Sequence, residues 1–271
     1  MTAAVTAPSH ARASHQPLPE ARLRFTGVLA SEWIKLTTLR STVWAYAVLI
    51  LLQVGMGMVL ALNITTGSPQ SDASTAVFAA SIGVMLNQLV ISVLGVLVIS
   101  GEYSTGQIRS SLTAVPKRLP VLWAKAIVFS VTSFVVSLVG ILAAYAVTSP
   151  ILSGAGVSSS LADPEVWAHL VGAAGYLALI GLFAFFVGAL LRNTPGGIAA
   201  VLGLVLVVPA VLSFISAEWV TVLTQWLPAS AGQTLFFGGG VFEPWQAVLV
   251  MLGWIAVVAI PAAVLLRRRD A

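Results

Sequence analysis

With 271 residues, 58% of them hydrophobic and only 8% charged, the chain lies far from an ordinary soluble domain, in which roughly a quarter of residues are charged. The net charge of +4 is dispersed rather than gathered on one polar face, so no nucleic acid is expected as a partner. The absence of cysteine excludes disulfides and thiolate metal centres.

The charges are ordered along the chain. Arg12, Arg22, Arg24, Lys35 and Arg40 precede the first long apolar run. Arg109, Lys117, Arg118 and Lys125 follow the second, Arg192 follows the fourth, and Arg267, Arg268 and Arg269 close the chain. The intervening loops carry only acids: Asp72, then Asp163 and Glu165, then Glu218 and Glu243. Basic residues stay on the cytoplasmic side of a membrane. The pattern therefore predicts an even number of spans with both termini cytoplasmic.

In chain order, residues 1–20 hold Pro8, Pro17 and Pro19 among many Ala and Ser without helical period, and read as a disordered cytoplasmic tail. They lack the basic start and apolar core of a signal peptide. From Arg22 to Leu39 the apolar positions Phe25, Leu29, Trp33 and Leu36 recur at three and four, with Lys35 and Thr38 elsewhere on the wheel. This is an interfacial helix or a cytoplasmic extension of the first span. Six spans of ~20 residues or more are expected from hydropathy and length, at about 42–62, 75–100, 119–148, 165–191, 195–216 and 244–266. Residues 21–271 thus form one all-α, polytopic transmembrane domain in the lipid bilayer.

Local signals refine these limits. Lys125 lies near the start of the third span and reads as snorkelling to the membrane edge. Asp163, Pro164 and Glu165 form a helix start. Residues 217–243 are too rich in Thr, Gln, Gly and Pro for another span. They read as an external segment with a short helix over Trp219 to Leu227, ended by Pro228. Pro209 and Pro261 fall inside spans and permit kinks, and Gly55, Gly57, Gly181 and Gly188 are candidates for close helix packing.

No catalytic constellation, phosphate-binding loop, cofactor site or metal-ligand cluster is evident. His169 stands alone. The span centres carry no charge, which disfavours an ion-driven carrier. Asn87 and Gln88 in the second span read as interhelical hydrogen-bonding residues or as the lining of a pathway. The connection from Gly101 to Arg118 carries Ser104 and Gln107 at capping-box spacing, which would start a helix of about ten residues that stops before Pro116. It reads as a short helix with Ile108 and Leu112 on one face, serving as a docking element or as a basic turn.

Two motifs then resemble permease subunits of bacterial type-2 ATP-binding cassette exporters. One is Glu32-Trp33-x-Lys35-Leu36-x-Thr38-Leu39-Arg40-Ser41. The other is Gly101-Glu102-Tyr103-x-x-Gly106-x-Ile108-Arg109, with Pro116-x-Arg118 and Lys125 beyond it. Gln107 stands where that family more often has Thr or Ser, and Trp226-Leu227-Pro228 to Gly232 resembles its external re-entrant region. The resemblance implies a transport subunit of the inner membrane without its own ATPase, paired with a second permease chain as a homo- or heterodimer. ATP and Mg would be bound by a separate ATPase subunit docked on a coupling helix, with Glu102, Tyr103, Gly106, Ile108, Arg109 and Leu112 at that junction and Glu32, Trp33, Lys35 and Arg40 on the interfacial helix. The cargo would be lipophilic or amphipathic. The competing reading is a non-transporting anchor, immunity or sensor subunit that holds a cytoplasmic partner.

Overall fold

The computed structural model describes residues 24–64, 73–105, 118–157 and 159–268. It is all-α: α1 (Phe25–Thr38), α2 (Arg40–Asn63), α3 (Ala73–Ser81), α4 (Val84–Thr105), α5 (Arg118–Gly154), α6 (Pro164–Leu191), α7 (Thr194–Leu202), α8 (Val208–Leu212), α9 (Glu218–Gln225), α10 (Pro228–Phe237) and α11 (Pro244–Arg268). Six stretches are long and apolar enough to cross a membrane: α2, α3 with α4, α5, α6, α7 through α8, and α11. The chain is a multi-span membrane protein. The tail over 1–20 and the docking helix read between Gly101 and Arg118 lie, from Gly106 onward, outside the described residues.

Helix α6, the fourth span, forms the centre. Asp163 caps it, its Oδ1 accepting from the Glu165 amide at 2.9 Å, and Pro164 occupies the first turn, where a missing N–H costs nothing. It ends at Arg192 in the left-handed conformation, φ 53°, whose amide bonds to the Gly188 carbonyl. Ala173, Ala174, Ala178, Gly181, Ala184 and Gly188 line its contacts. Their small size lets α4 approach until a Cβ on Gly95 would stand 2.5 Å from the Gly181 carbonyl. Close approach of this kind replaces the hydrophobic drive that lipid removes. Of the glycines singled out in the sequence, Gly57, Gly181 and Gly188 sit at such contacts, whereas Gly55 faces open space.

Four span features differ from expectation. The second span is not one helix: it breaks at Ile82 and Gly83 between α3 and α4. There a Cβ on Gly83 would lie 2.7 Å from Gln53 Cα, so α2 presses its backbone against the break. The third span continues past Thr148 to Gly154, with Pro150 inside α5. The fifth contains a π turn over Gly203–Val207, where the Val208 amide bonds to the Gly203 carbonyl. Pro209 follows at once; it has no N–H for the Val205 carbonyl and its ring crowds that oxygen, and the wider turn relieves both. This span ends at Leu212 rather than residue 216.

Pro228 does not merely end a helix. It opens α10, which packs between α6 and α11 and buries Ala229, Ala231, Leu235 and Phe236. Gly232 lies flat against the Tyr176 ring, leaving no room for a Cβ. The preceding α9 buries Val220 and exposes Trp219, Val222 and Trp226, the apolar face expected to lie in an interface.

Candidate functional site

At the end of the bundle where α1 meets the spans, four charged residues converge. α1 packs against the start of α5 through Val28, Val121 and Ala124, and its buried stripe is Val28, Glu32 and Leu36, spaced by four. A carboxylate therefore occupies the middle of an otherwise apolar stripe. Burying it unpaired would cost several kcal/mol. Lys125, from the first turns of α5, supplies the partner: its Nζ donates to Glu32 Oε2 at 2.5 Å and to Glu102 Oε1 at 2.8 Å. Lys35, one turn after Glu32, donates to Glu32 Oε1 at 2.8 Å and approaches Glu102 Oε1 at 3.5 Å.

Among the described residues, two carboxylates and two ammonium groups thus balance. Glu32, Glu102 and Lys125 are buried, and only the Lys35 side chain, 40% exposed, reaches out of the cluster. Burial works against the Lys35 charge, but the hydrogen bond to Glu32 and the fields of Glu102 and Glu32 outweigh it, and its pKa is raised above the ordinary 10.5. The expectation that Lys125 snorkels is corrected: it turns inward because two acids are within reach of its four-carbon stem. The cluster ties α1, the end of α4 and the start of α5 into one unit across 93 residues of sequence.

Beside it, the guanidinium of Arg192 lies over the Tyr103 ring at 5.2 Å and donates to the Leu265 carbonyl of α11 at 3.2 Å. Thr194 Oγ1 donates to Ser100 Oγ at 2.8 Å. The ends of the second, fourth, fifth and sixth spans are thereby joined. Trp33, 49% exposed, and Arg40 face outward, away from the cluster. Gly106, Ile108, Arg109 and Leu112 lie outside the described residues.

Deeper in the bundle, Asn87 and Gln88 are both buried between helices. Gln88 Oε1 accepts from the Tyr176 hydroxyl of α6. Asn87 donates through Nδ2 to Gln53 Oε1 at 2.6 Å, and Gln53 Nε2 donates to the Ala80 carbonyl at 2.6 Å. That carbonyl sits at the break in the second span, so a side chain from the first span supplies the donor that the interrupted helix withholds. Tyr46 and Ser133 bond hydroxyl to hydroxyl at 3.0 Å. Gln53 was not singled out in the sequence, though an amide alone in an uncharged run of apolar residues is itself a signal that something inside needs a partner.

Near the opposite end, His169 bonds through Nδ1 to the Glu165 carbonyl of its own helix at 2.9 Å. Among the described residues no group of His, Asp and Glu is arranged to hold a metal ion. Compared with known proteins, the chain matches no family model and no curated protein.

Proposed function

We propose that this chain is the permease subunit of an ATP-binding cassette exporter of the inner membrane, paired with a second permease chain and powered by a separate ATPase. Both termini and the connection following α4 face the cytoplasm in this reading, by the distribution of Lys and Arg. The observation that carries it is the convergence of Glu32 and Lys35 with Glu102 and Lys125. These residues belong to both motifs of the family resemblance, and they meet where the interfacial helix touches the ends of two spans. A push delivered by an ATPase to the connection after Tyr103 would reach α1 and α5 through this buried cluster, because a packed, paired unit moves as a body rather than deforming. The chain supplies no nucleotide site of its own in this reading, and its cargo is lipophilic or amphipathic.

The test is isolation of the full chain from native membranes. We expect a co-purifying subunit that hydrolyses ATP, and an Ile108→Pro variant that retains insertion and hydrolysis but loses export, since proline costs ~3 kcal/mol within a helix. Recovery of the chain without any nucleotide-hydrolysing subunit would remove the exporter reading in favour of an anchor or sensor subunit. Normal export by Ile108→Pro would remove the coupling role.

A further inference from the structure

The charged cluster forms one wall of a cavity of about 460 Å³ between α1, α2, α4 and α5, a size that suits part of a small ligand. Its other wall is apolar, built by Leu94, Leu97 and Val98 of α4. Leu97 is 39% exposed and Leu39, on the α1 side, is 52% exposed, so the cavity opens sideways on the outer surface of the bundle. A polar floor with an apolar, laterally open wall is the shape of a site for an amphiphile.

The hydrogen-bond inventory of the cluster narrows the headgroup. An ammonium carries three protons. Lys125 commits two, to Glu32 and Glu102. Both lysines approach Glu102 through Oε1, and its Oε2 accepts from no described residue. Both residues line the cavity. The cluster therefore presents one donor on Lys125 and one acceptor on Glu102, with the Ser41 and Thr42 hydroxyls also lining the cavity, and the charges of the four described residues balance, so neither an anionic nor a cationic head finds excess charge among them.

The geometry points to a lateral lipid site for a zwitterionic headgroup bearing a phosphate and a primary ammonium. The phosphate accepts from Lys125, the ammonium donates to Glu102 Oε2, and an acyl chain runs over Leu94, Leu97 and Val98. The inference needs only a membrane around the spans and stands apart from the exporter reading.

Native mass spectrometry of the purified full chain tests it, with phosphatidylethanolamine, phosphatidylcholine and phosphatidylglycerol of matched acyl chains. We expect the first to bind at roughly tenfold lower concentration than either other lipid, the scale of one charge-assisted hydrogen bond. The choline head lacks an N–H donor, and the glycerol head brings uncompensated negative charge. Val98→Trp, which fills the cavity and leaves all four charges in place, should abolish that preference, whereas Leu51→Trp, at a position 70% exposed on α2, should keep it. Equal binding of the three lipids by the unaltered chain, or preference for phosphatidylglycerol, overturns the proposal whether or not the Trp variants fold. So does a folded Val98→Trp chain that retains the preference.

Discussion

The most apolar 18-residue stretches of the fourth and fifth spans have the same mean hydropathy, 2.3, yet 72% of the residues in one are buried within the protein and 17% in the other. In water such equality would mean equal burial, because apolar surface is driven inward. Lipid tails are as apolar as leucine, and that drive vanishes between helices. What separates the two is shape and polar partners. The fourth span offers small residues where α4 must approach and places the Tyr176 hydroxyl against Gln88. The fifth is interrupted by a π turn and Pro209 and turns Leu206, Val207 and Val211 outward.

If inner elements are held by fit and pairing, the largest loss should come from unbalancing the charges beside them. Lys125→Met leaves Glu32 and Glu102 buried around an apolar stem, and should cost about 3–5 kcal/mol in unfolding of the detergent-solubilised chain. Arg267→Met on the outer α11 should cost under ~1 kcal/mol, the scale of surface charge. Similar costs for the two would dissolve the distinction.

A methyl group sharpens the contrast by sign. Gly95→Ala forces a carbon against the Gly181 carbonyl and should destabilise by about 1–3 kcal/mol. Gly203→Ala, with nothing within 4 Å of the added carbon, should be neutral or stabilise by up to ~1 kcal/mol. Thermal unfolding of the pair decides, and loss at both positions would show the fifth span packed as tightly as the fourth.

Amide bonds between inner helices should be weaker and coupled. Gln53→Leu and Asn87→Leu are each expected to cost about 0.6–1.7 kcal/mol, with the double variant costing less than their sum. Strict additivity would mean that the two side chains act independently.

The smallest effect is the pH response of Lys35. Its folded pKa lies above 10.5, so its contribution is complete below pH 10.5 and disappears as pH rises through the folded value. Stability should be flat across neutral pH with a shallow alkaline decline. Lys35→Met should lack that decline, and an unchanged alkaline profile in the variant would assign it to another group.

The six spans and α1 were legible because length, hydropathy and the order of charges are properties of single segments. The breaks were not. Ile82 and Gly83 sit in a run as apolar as its neighbours, and only the pressure of Gln53 from another helix explains the interruption. Lys125 was misread for a similar reason. A lysine near a span end finds water by default, and the two acids that draw it inward lie 93 and 23 residues away on other helices. Glu32, Lys35 and Glu102 were visible as motif residues, while their convergence was a fact of tertiary structure.

The break in the second span also bears on how the protein is made. A carbonyl without a donor is costly in hydrocarbon, and among the described residues Ala80 finds its side-chain donor on α2. The second span thus enters lipid most cheaply when the first is already beside it, in the order of synthesis. The first two spans are therefore expected to insert together, and a second span presented alone would carry an exposed polar gap until its partner arrived.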